Sequence, residues 1–180
     1  MFALTPRLSL RPGWPEDAPE LARAIGHEAV VTKLARAPWP YREEDARAFL
    51  SAPRGSGQPE FLVCERRSGR VVGGIGVDLA AEGAPELGYW FTPEVWGRGY
   101  ATEAGRAVVA IARDALRVPR LRSGHFVDNP ASGCVLRKLG FRPTGRVVAR
   151  ECRARGRDVP CALFELELED ARTGPMPLAA

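Results

Sequence analysis

The passage that most restricts the fold of this chain is residues 86–127, where a strand pattern, a helix pattern and a second strand pattern follow one another. The run ELGYWF is rich in aromatic residues, and Pro93 stops it. From Ala101 to Ala115, small and apolar residues recur every three or four positions, which predicts an amphipathic helix that is closed by Pro119. RLRSGHFV predicts the next strand. A strand, a helix and a strand in this order require a parallel crossover.

The segments on either side of this passage predict antiparallel strand pairs. EFLVCE and RVVGGIGVDL are joined by RRSG, a turn of hairpin length, and residues 141–168 contain two more strand patterns. A first strand in LTPRLSLRP precedes two predicted helices, in residues 13–31 and 42–50. We predict an α/β (α+β mixed) fold with a single mixed, mostly antiparallel sheet of about seven strands and helices on both faces. The 180 residues are expected to form one domain over residues 1–169 with a mobile tail at 170–180.

The composition excludes several classes of protein. Apolar residues make up 45% and charged residues 27% of the chain, as in ordinary globular domains. Neither an apolar run of membrane-spanning length nor the order of a signal peptide is found, so no membrane partner and a cytoplasmic location are expected. The net charge of +4 suits a small anionic ligand as readily as nucleic acid. No basic run is interleaved with aromatic residues, so a nucleic-acid partner is not expected.

The four cysteines give no sign of a metal site. They show no Cys-x-x-Cys spacing and no nearby pair of histidines, so reduced thiols and no metal are expected. Cys134 is the cysteine nearest to a candidate site, and we expect it to be a small buried residue on the packed face of a helix.

Two glycines mark the most informative loop, EVWGRGYATEA. Gly97 and Gly99 lie between a predicted strand and a predicted helix, where backbone N–H groups and the helix dipole together bind anions. Arg98 adds a positive charge, and Thr102 could donate a hydroxyl hydrogen bond. A plain glycine turn that caps the helix is the alternative. The loop lacks the lysine of a P-loop, and Thr102 stands where a dinucleotide-binding motif has its third glycine.

The loop WGRGYATEA, preceded by ELGYWFTPEV and followed by NPASGCVLRKLGF, resembles the GNAT acyltransferase superfamily in its RimJ/RimL-like branch. The resemblance covers about residues 4–169. It implies that two parallel strands splay apart in the centre of the sheet, and that the chain uses acetyl-CoA as its cosubstrate. Carried over to this sequence, it implies that the pyrophosphate and the pantetheine arm are bound by Phe91, Thr92, Trp96, Gly97, Arg98, Gly99, Tyr100, Ala101, Thr102, Asn129 and Ser132.

The same resemblance implies the catalytic groups. A glutamate accepts the proton of the amine and a serine assists the departing thiolate, and the matching positions are Glu151 and Ser132. Glu86, at the start of the strand before the loop, is a rival base. Many relatives carry a tyrosine that protonates the thiolate four residues after this serine, and Leu136 occupies that position here. The tyrosine mechanism of those relatives is therefore excluded from that position.

Each of these assignments has a plainer alternative. Glu151 is flanked by Arg150 and Arg153, so it could form a surface ion pair. Ser132 could bond the backbone at a helix start, and Glu86 could be an exposed charge at a strand end. His125 could relay a proton, although a lone histidine on a strand is more often structural.

The resemblance predicts an N-acetyltransferase that moves an acetyl group directly to a primary amine in a ternary complex. The acceptor it implies is a protein N-terminus or a small-molecule amine, and it allows a homodimer. The acceptor groove is expected beside the first two helices, with Trp39 and Tyr41, and the last hairpin. The alternative is a CoA-binding sensor or subunit of the same fold that has no turnover.

Overall fold

The computed structural model describes residues 1–53, 58–81 and 84–168. Eight strands are present in this part of the chain: β1 Ala3–Leu4, β2 Leu8–Arg11, β3 Glu60–Glu65, β4 Val71–Asp78, β5 Glu86–Phe91, β6 Arg120–Phe126, β7 Arg142–Cys152 and β8 Arg157–Glu167. Five α-helices connect them: α1 Ala18–Ile25, α2 Glu28–Val31, α3 Glu43–Ser51, α4 Tyr100–Asp114 and α5 Pro130–Lys138. The predicted tail at 170–180 lies outside the described residues.

All eight strands form one mixed sheet in the order β1-β2-β3-β4-β5-β6-β8-β7. Every neighbouring pair is antiparallel except β5 and β6, which are parallel. These two strands pair only at Glu86 and Arg122, so they separate toward their carboxyl ends. The predicted single mixed sheet and the splayed parallel pair are both confirmed.

Helices cover both faces of this sheet, because inward-facing residues alternate along the central strands. On β3, Phe61 and Val63 join a core beneath α4 and α5, whereas Leu62 and Cys64 join a second core beneath α1, α2 and α3. This alternation is expected for a strand that is buried on both sides. The gap between β5 and β6 is therefore bordered by helices on both faces of the sheet.

The structure differs from the sequence prediction at two helix boundaries. The first predicted helix is divided at Gly26, where a Cβ atom would lie 2.4 Å from the carbonyl oxygen of Ala22. Helix α4 ends at Asp114 rather than continuing toward Pro119, and the chain leaves it through Arg117 in a left-handed conformation with φ 52°. The sheet also has eight strands instead of about seven, because the two-residue β1 pairs with β2.

Candidate active site

The glycine loop before α4 adopts the conformation that an anion-binding loop needs. Gly97 and Gly99 have φ angles of 76° and 78°, in the left-handed region that favours glycine. A Cβ atom at Gly97 would meet nothing within 4 Å, so the space above the loop is open to a ligand. The hydrogen bonds of α4 begin at Glu103, whose amide donates to the carbonyl of Gly99.

The loop and the first turn of α4 present a set of uncommitted backbone donors. Within the described residues, no protein acceptor is recorded for the amides of Gly97, Gly99, Tyr100, Ala101 and Thr102. The first amides of a helix have no partner inside the helix, and the dipole places partial positive charge there. The arrangement therefore suits a negatively charged group such as a phosphate.

Two side chains hold this loop against the N-terminal strands. The guanidinium of Arg7 donates to the carbonyl of Arg98 at 2.9 Å and to Glu103 at 2.6 Å, and it lies 4.7 Å from the ring centroid of Tyr100. The hydroxyl of Thr5 donates to Glu103 at 2.6 Å. Burial opposes ionisation of Glu103, but these hydrogen bonds prevail and lower its pKa. Glu103 is therefore a structural anchor at the start of α4.

The indole of Trp96 ties the loop to β5. Its N–H donates to the carbonyl oxygen of Phe91 at 2.7 Å, so the donor of this side chain is used inside the protein. Thr92 is also engaged, since its amide donates to Val72 at 3.0 Å and its hydroxyl bonds Glu94. Thr92 does not line the cavity described below. The tyrosine at position 100 likewise turns its hydroxyl away and donates to Glu65 at 2.7 Å.

The register of β4 and β5 determines which backbone groups face the gap. Thr92 bonds Val72 across the antiparallel pair, so the alternate residues Phe91 and Tyr89 direct their N–H and C=O groups away from β4. Because β6 has already separated from β5 at this level, these groups lie on an open strand edge. The carbonyl of Phe91 is taken by Trp96, whereas Tyr89 keeps its edge position for a ligand.

A cavity of about 1670 Å³ connects the glycine loop with the far side of the sheet through this gap. It is larger than a typical site for one small ligand, for which about 300–1,000 Å³ is usual. Most of the predicted site residues line it: Glu86, Phe91, Trp96, Gly97, Gly99, Tyr100, Ala101, Thr102, Asn129, Ser132 and Glu151. Arg98 and Thr92 do not.

Ser132 lies in the first turn of α5 and is paired with a tyrosine that sequence reasoning missed. The hydroxyl of Tyr89, on β5, lies 2.8 Å from Ser132 Oγ and 3.0 Å from the Ser132 carbonyl oxygen. Burial raises the pKa of Tyr89 to about 12, although the hydrogen bond with Ser132 opposes that shift. The strand alternation that places Leu87 and Phe91 inward also places Tyr89 inward, and this signal was present in the sequence.

The two candidate bases have different surroundings. Glu86 is held by the guanidinium of Arg150, with one of the two contacts at 3.1 Å, so its carboxylate joins β5 to β7. It is therefore neither a free charge nor an uncommitted base. Glu151 lies on β7 opposite Asp158, is exposed and lines the cavity. Among the described residues it forms no recorded ion pair, including with its neighbours Arg150 and Arg153.

Residues at the start of α5 and on β6 complete the wall. Asn129 is the N-cap residue of α5, yet its side chain makes no capping hydrogen bond and lines the cavity. His125 bonds the carbonyl of Phe126 through Nδ1 at 2.8 Å and packs against Gly133, which indicates a structural role. The expectation that Cys134 is buried is wrong, because it is exposed and lines the cavity. The nine-residue helix turns its Gly133 and Leu136 inward instead.

The far end of the cavity is formed by α1, α3 and the last hairpin. Tyr41 lines it and packs against the second core, and burial raises the pKa of its phenol to about 12. Trp39 is 43% exposed and lies outside the lining. Of the two aromatic residues expected here, Tyr41 alone faces the cavity.

Within the described residues, no cluster of three or more histidine, cysteine or acidic side chains is placed to hold a metal ion. None of the described helices has the length and apolar character to cross a membrane.

The sequence profile described as "Acetyltransferase (GNAT) domain" matches residues 7–142. The chain belongs to the GNAT acetyltransferase domain family. The match covers β2 to the start of β7, and thus includes the glycine loop, the splayed strands and α5. The GNAT resemblance predicted from the sequence is confirmed.

Similar proteins of known sequence carry N-acetyltransferase names. Two are the uncharacterized N-acetyltransferases YnaD and YoaA of Bacillus subtilis, 29% identical over 106 residues and 37% identical over 84 residues. These matches cover 58% and 45% of this chain, and 62% and 48% of the two relatives, so the chain spans about half to three fifths of their length. The uncharacterized N-acetyltransferase p20 of Bacillus licheniformis is 25% identical over 167 residues, which cover 90% of this chain and 93% of that protein.

Solved structures share the fold over nearly the whole chain. A GNAT family acetyltransferase from Bacillus anthracis has a TM-score of 0.80 at 22% identity, covering 94% of this GNAT chain and all of that structure (100%). A ribosomal-protein-S5-alanine acetyltransferase from Vibrio fischeri has a TM-score of 0.79 at 16% identity, covering 94% and 98%. At these identities the structures show a shared fold.

Proposed function

We propose that this GNAT chain is an acetyl-CoA-dependent N-acetyltransferase that transfers an acetyl group directly to a primary amine. The observation that carries the proposal is the continuity of the uncommitted amides at the start of α4 with the gap between β5 and β6. A GNAT domain implies acetyl-CoA as the acyl donor. The donor set fits this group, because a pyrophosphate needs several convergent N–H groups and an extended amide arm needs an open strand edge.

Each part of acetyl-CoA would contact a different element of the cleft. The pyrophosphate would lie on the amides of Gly97, Gly99 and the first turn of α4, and the hydroxyl of Thr102 would add a further donor. The pantetheine arm would follow the edge of β5 at Tyr89. The side chain of Asn129, which makes no capping hydrogen bond, would contact the pantetheine arm from α5. Phe91 would offer its N–H on this edge, since only its carbonyl is taken, by Trp96. Thr92 would only shape the edge, because its amide and hydroxyl are already used.

The cavity is large enough for a donor and an acceptor at the same time. Its 1670 Å³ exceed the size usual for one small ligand and reach from the glycine loop to Tyr41. Simultaneous binding favours direct attack of the amine on the thioester. Cys134 is exposed in the wall, but among the described residues no hydrogen bond of its thiol is recorded, so direct transfer is the simpler route.

The chemistry needs a base and a group that assists the leaving thiolate. An ammonium has no lone pair, so the attacking amine must be neutral and must lose a proton during transfer. Glu151 is the candidate base, because its carboxylate lines the cavity and forms no recorded ion pair among the described residues. Ser132 is the candidate donor to the sulfur, since it faces the gap from α5. Glu86 is less suited to the role of base, because Arg150 already holds its carboxylate.

The acceptor is proposed only as a class, a protein N-terminus or a small-molecule primary amine. One structure of the same fold is named a ribosomal-protein-S5-alanine acetyltransferase, so peptides that begin with alanine belong in the first test. The proposed location is the cytoplasm, and the family resemblance allows a homodimer. A CoA-binding sensor without turnover is the alternative, and the presence of Ser132 and Glu151 in the same cavity favours an enzyme.

The test measures CoA release from acetyl-CoA with a panel of amines and peptides, together with mass spectrometry of the products. We expect amine-dependent thiol release and a product heavier by one acetyl group. Glu151→Gln and Ser132→Ala should lower the rate while CoA still protects the protein against thermal unfolding. Protection by CoA without any product would support the sensor, and the absence of both would refute a CoA-binding function.

A further inference from the structure

The side chain of Tyr89 was not among the predicted site residues. Its phenol bridges the two sides of the splayed gap. It starts from β5, the strand that leads into the glycine loop, and ends on α5, the helix that follows β6. Its hydroxyl lies within hydrogen-bond distance of both the hydroxyl and the carbonyl oxygen of Ser132, at 2.8 and 3.0 Å. Two contacts to one residue fix the position of the phenol and of the serine together.

We propose that Tyr89 is a positioning residue for acetyl transfer, which orients and supports Ser132 as the donor to the departing sulfur. The inference rests on the proposed function. Many relatives have at position 136 a tyrosine that protonates the thiolate. Leu136 occupies this position here, is fully buried in the core at 0% exposure and does not line the cavity. In this chain a phenol reaches the same helix from the opposite strand.

The pattern of donors and acceptors explains how the pair would work. The carbonyl of Ser132 can only accept, so in one arrangement Tyr89 donates to it and Ser132 Oγ donates to the phenol oxygen. In the other arrangement Tyr89 donates to Ser132 Oγ, and the proton of the serine is free to point toward the sulfur. The exchange requires only rotation of two hydroxyl groups, and no heavy atom needs to move. Because the pKa of Tyr89 is about 12, the phenol keeps its proton at neutral pH.

The transfer step is balanced without ionising either hydroxyl. The lone pair of the neutral amine forms the new C–N bond, the C–S bond breaks, and its electron pair goes to the sulfur. The proton of the amine passes to Glu151 or to water. Ser132 donates a hydrogen bond to the thiolate, and Tyr89 turns its own hydrogen bond from the carbonyl to Ser132 Oγ. A hydrogen bond to a charged group is stronger than one between neutral groups, so the support is greatest as the thiolate forms.

The experiment combines Tyr89→Phe and Ser132→Ala, singly and together, in the full chain with the fastest amine of the panel. We expect Tyr89→Phe to lower kcat by about 10-fold while the Kd for CoA changes less than about twofold, since the lost hydrogen bond acts at the developing charge. In the Ser132→Ala background the same change should have almost no effect on kcat. Thr144→Val is the control, because its hydroxyl also bonds a backbone carbonyl, that of Leu163 at 3.1 Å, but lies outside the cleft.

The outcomes separate this inference from the proposed function. An unchanged kcat in Tyr89→Phe, with an active unsubstituted protein, would overturn the role of Tyr89 alone. An equal loss in both backgrounds would also overturn it, because the phenol would then act without Ser132. Loss of CoA binding in proportion to kcat would indicate a merely structural role. If the unsubstituted protein released no thiol with any amine, the proposed function and this inference would both fail.

Discussion

Replacing Gly97 with alanine tests the left-handed backbone conformation of the glycine loop without introducing a steric clash. Gly97 has φ 76°, and a Cβ atom there would meet nothing within 4 Å. The substitution therefore adds no clash within the described protein, and its cost is the strain of a left-handed residue, about 1–2 kcal/mol. In an equilibrium constant this is a factor of about 5–30. We expect the loop to relax away from the left-handed region, which misaligns the amides, so that CoA binding must supply the strain energy.

This cost can weaken CoA binding or lower the stability of the protein. Calorimetric titration with CoA measures the first effect, and urea unfolding measures the second. Gly69→Ala is the matched control, because Gly69 has φ 72° in the hairpin between β3 and β4 and also has nothing within 4 Å. Gly97→Ala should raise the Kd for CoA by about 5- to 30-fold. Gly69→Ala should lower the free energy of unfolding and leave the Kd unchanged. An unchanged Kd in Gly97→Ala, with the stability loss of the control, would refute the assignment of the loop.

Three further changes test other parts of the account. Glu151→Gln should lower kcat by about 100-fold or more with an unchanged Kd for CoA, as loss of a general base does, and an unaltered kcat would exclude it as the base. Trp96→Phe, which removes the indole bond to β5, should lower the free energy of unfolding by about 0.5–1.5 kcal/mol in urea titrations, and no loss would show that the bond contributes nothing. The hydrogen bond from Arg11 lowers the pKa of Asp17 below 3.8 despite its burial, so this carboxylate stabilises the fold at neutral pH and ceases to do so as the pH falls through the lowered value. Asp17→Asn should therefore be less stable than the unsubstituted protein at pH 7, with a difference that shrinks as the pH falls through the lowered pKa, and a constant difference would contradict that linkage.

The sequence predicts best those features that local chemistry determines. Pro130 at the first helical position and Gly140 just past the end, in a left-handed conformation with φ 93°, bound α5, because each residue type suits the backbone at its position. The same holds for Gly97 and Gly99, whose left-handed conformations follow from the strand, loop and helix order. The position of the cleft could therefore be predicted before the structure was known.

Features that depend on distant segments could not be predicted in this way. Glu86 and Arg150 lie on strands β5 and β7, which have β6 and β8 between them, so their ion pair depends on the curvature of the sheet. The pair of Tyr89 and Ser132 likewise depends on how closely α5 approaches β5. Cys134 was misplaced because a helix of nine residues has too few turns to fix which face is buried.

The most direct test of the central claim is an amide NMR spectrum of the protein labelled with ¹⁵N-glycine, recorded with and without CoA. The amide signals of Gly97 and Gly99 should shift strongly on binding, because these N–H groups are proposed to donate to the pyrophosphate. The signals of Gly69 and Gly156, which share the left-handed conformation but lie outside the cleft, should stay in place. Binding of CoA that leaves the signals of Gly97 and Gly99 unmoved would contradict the account.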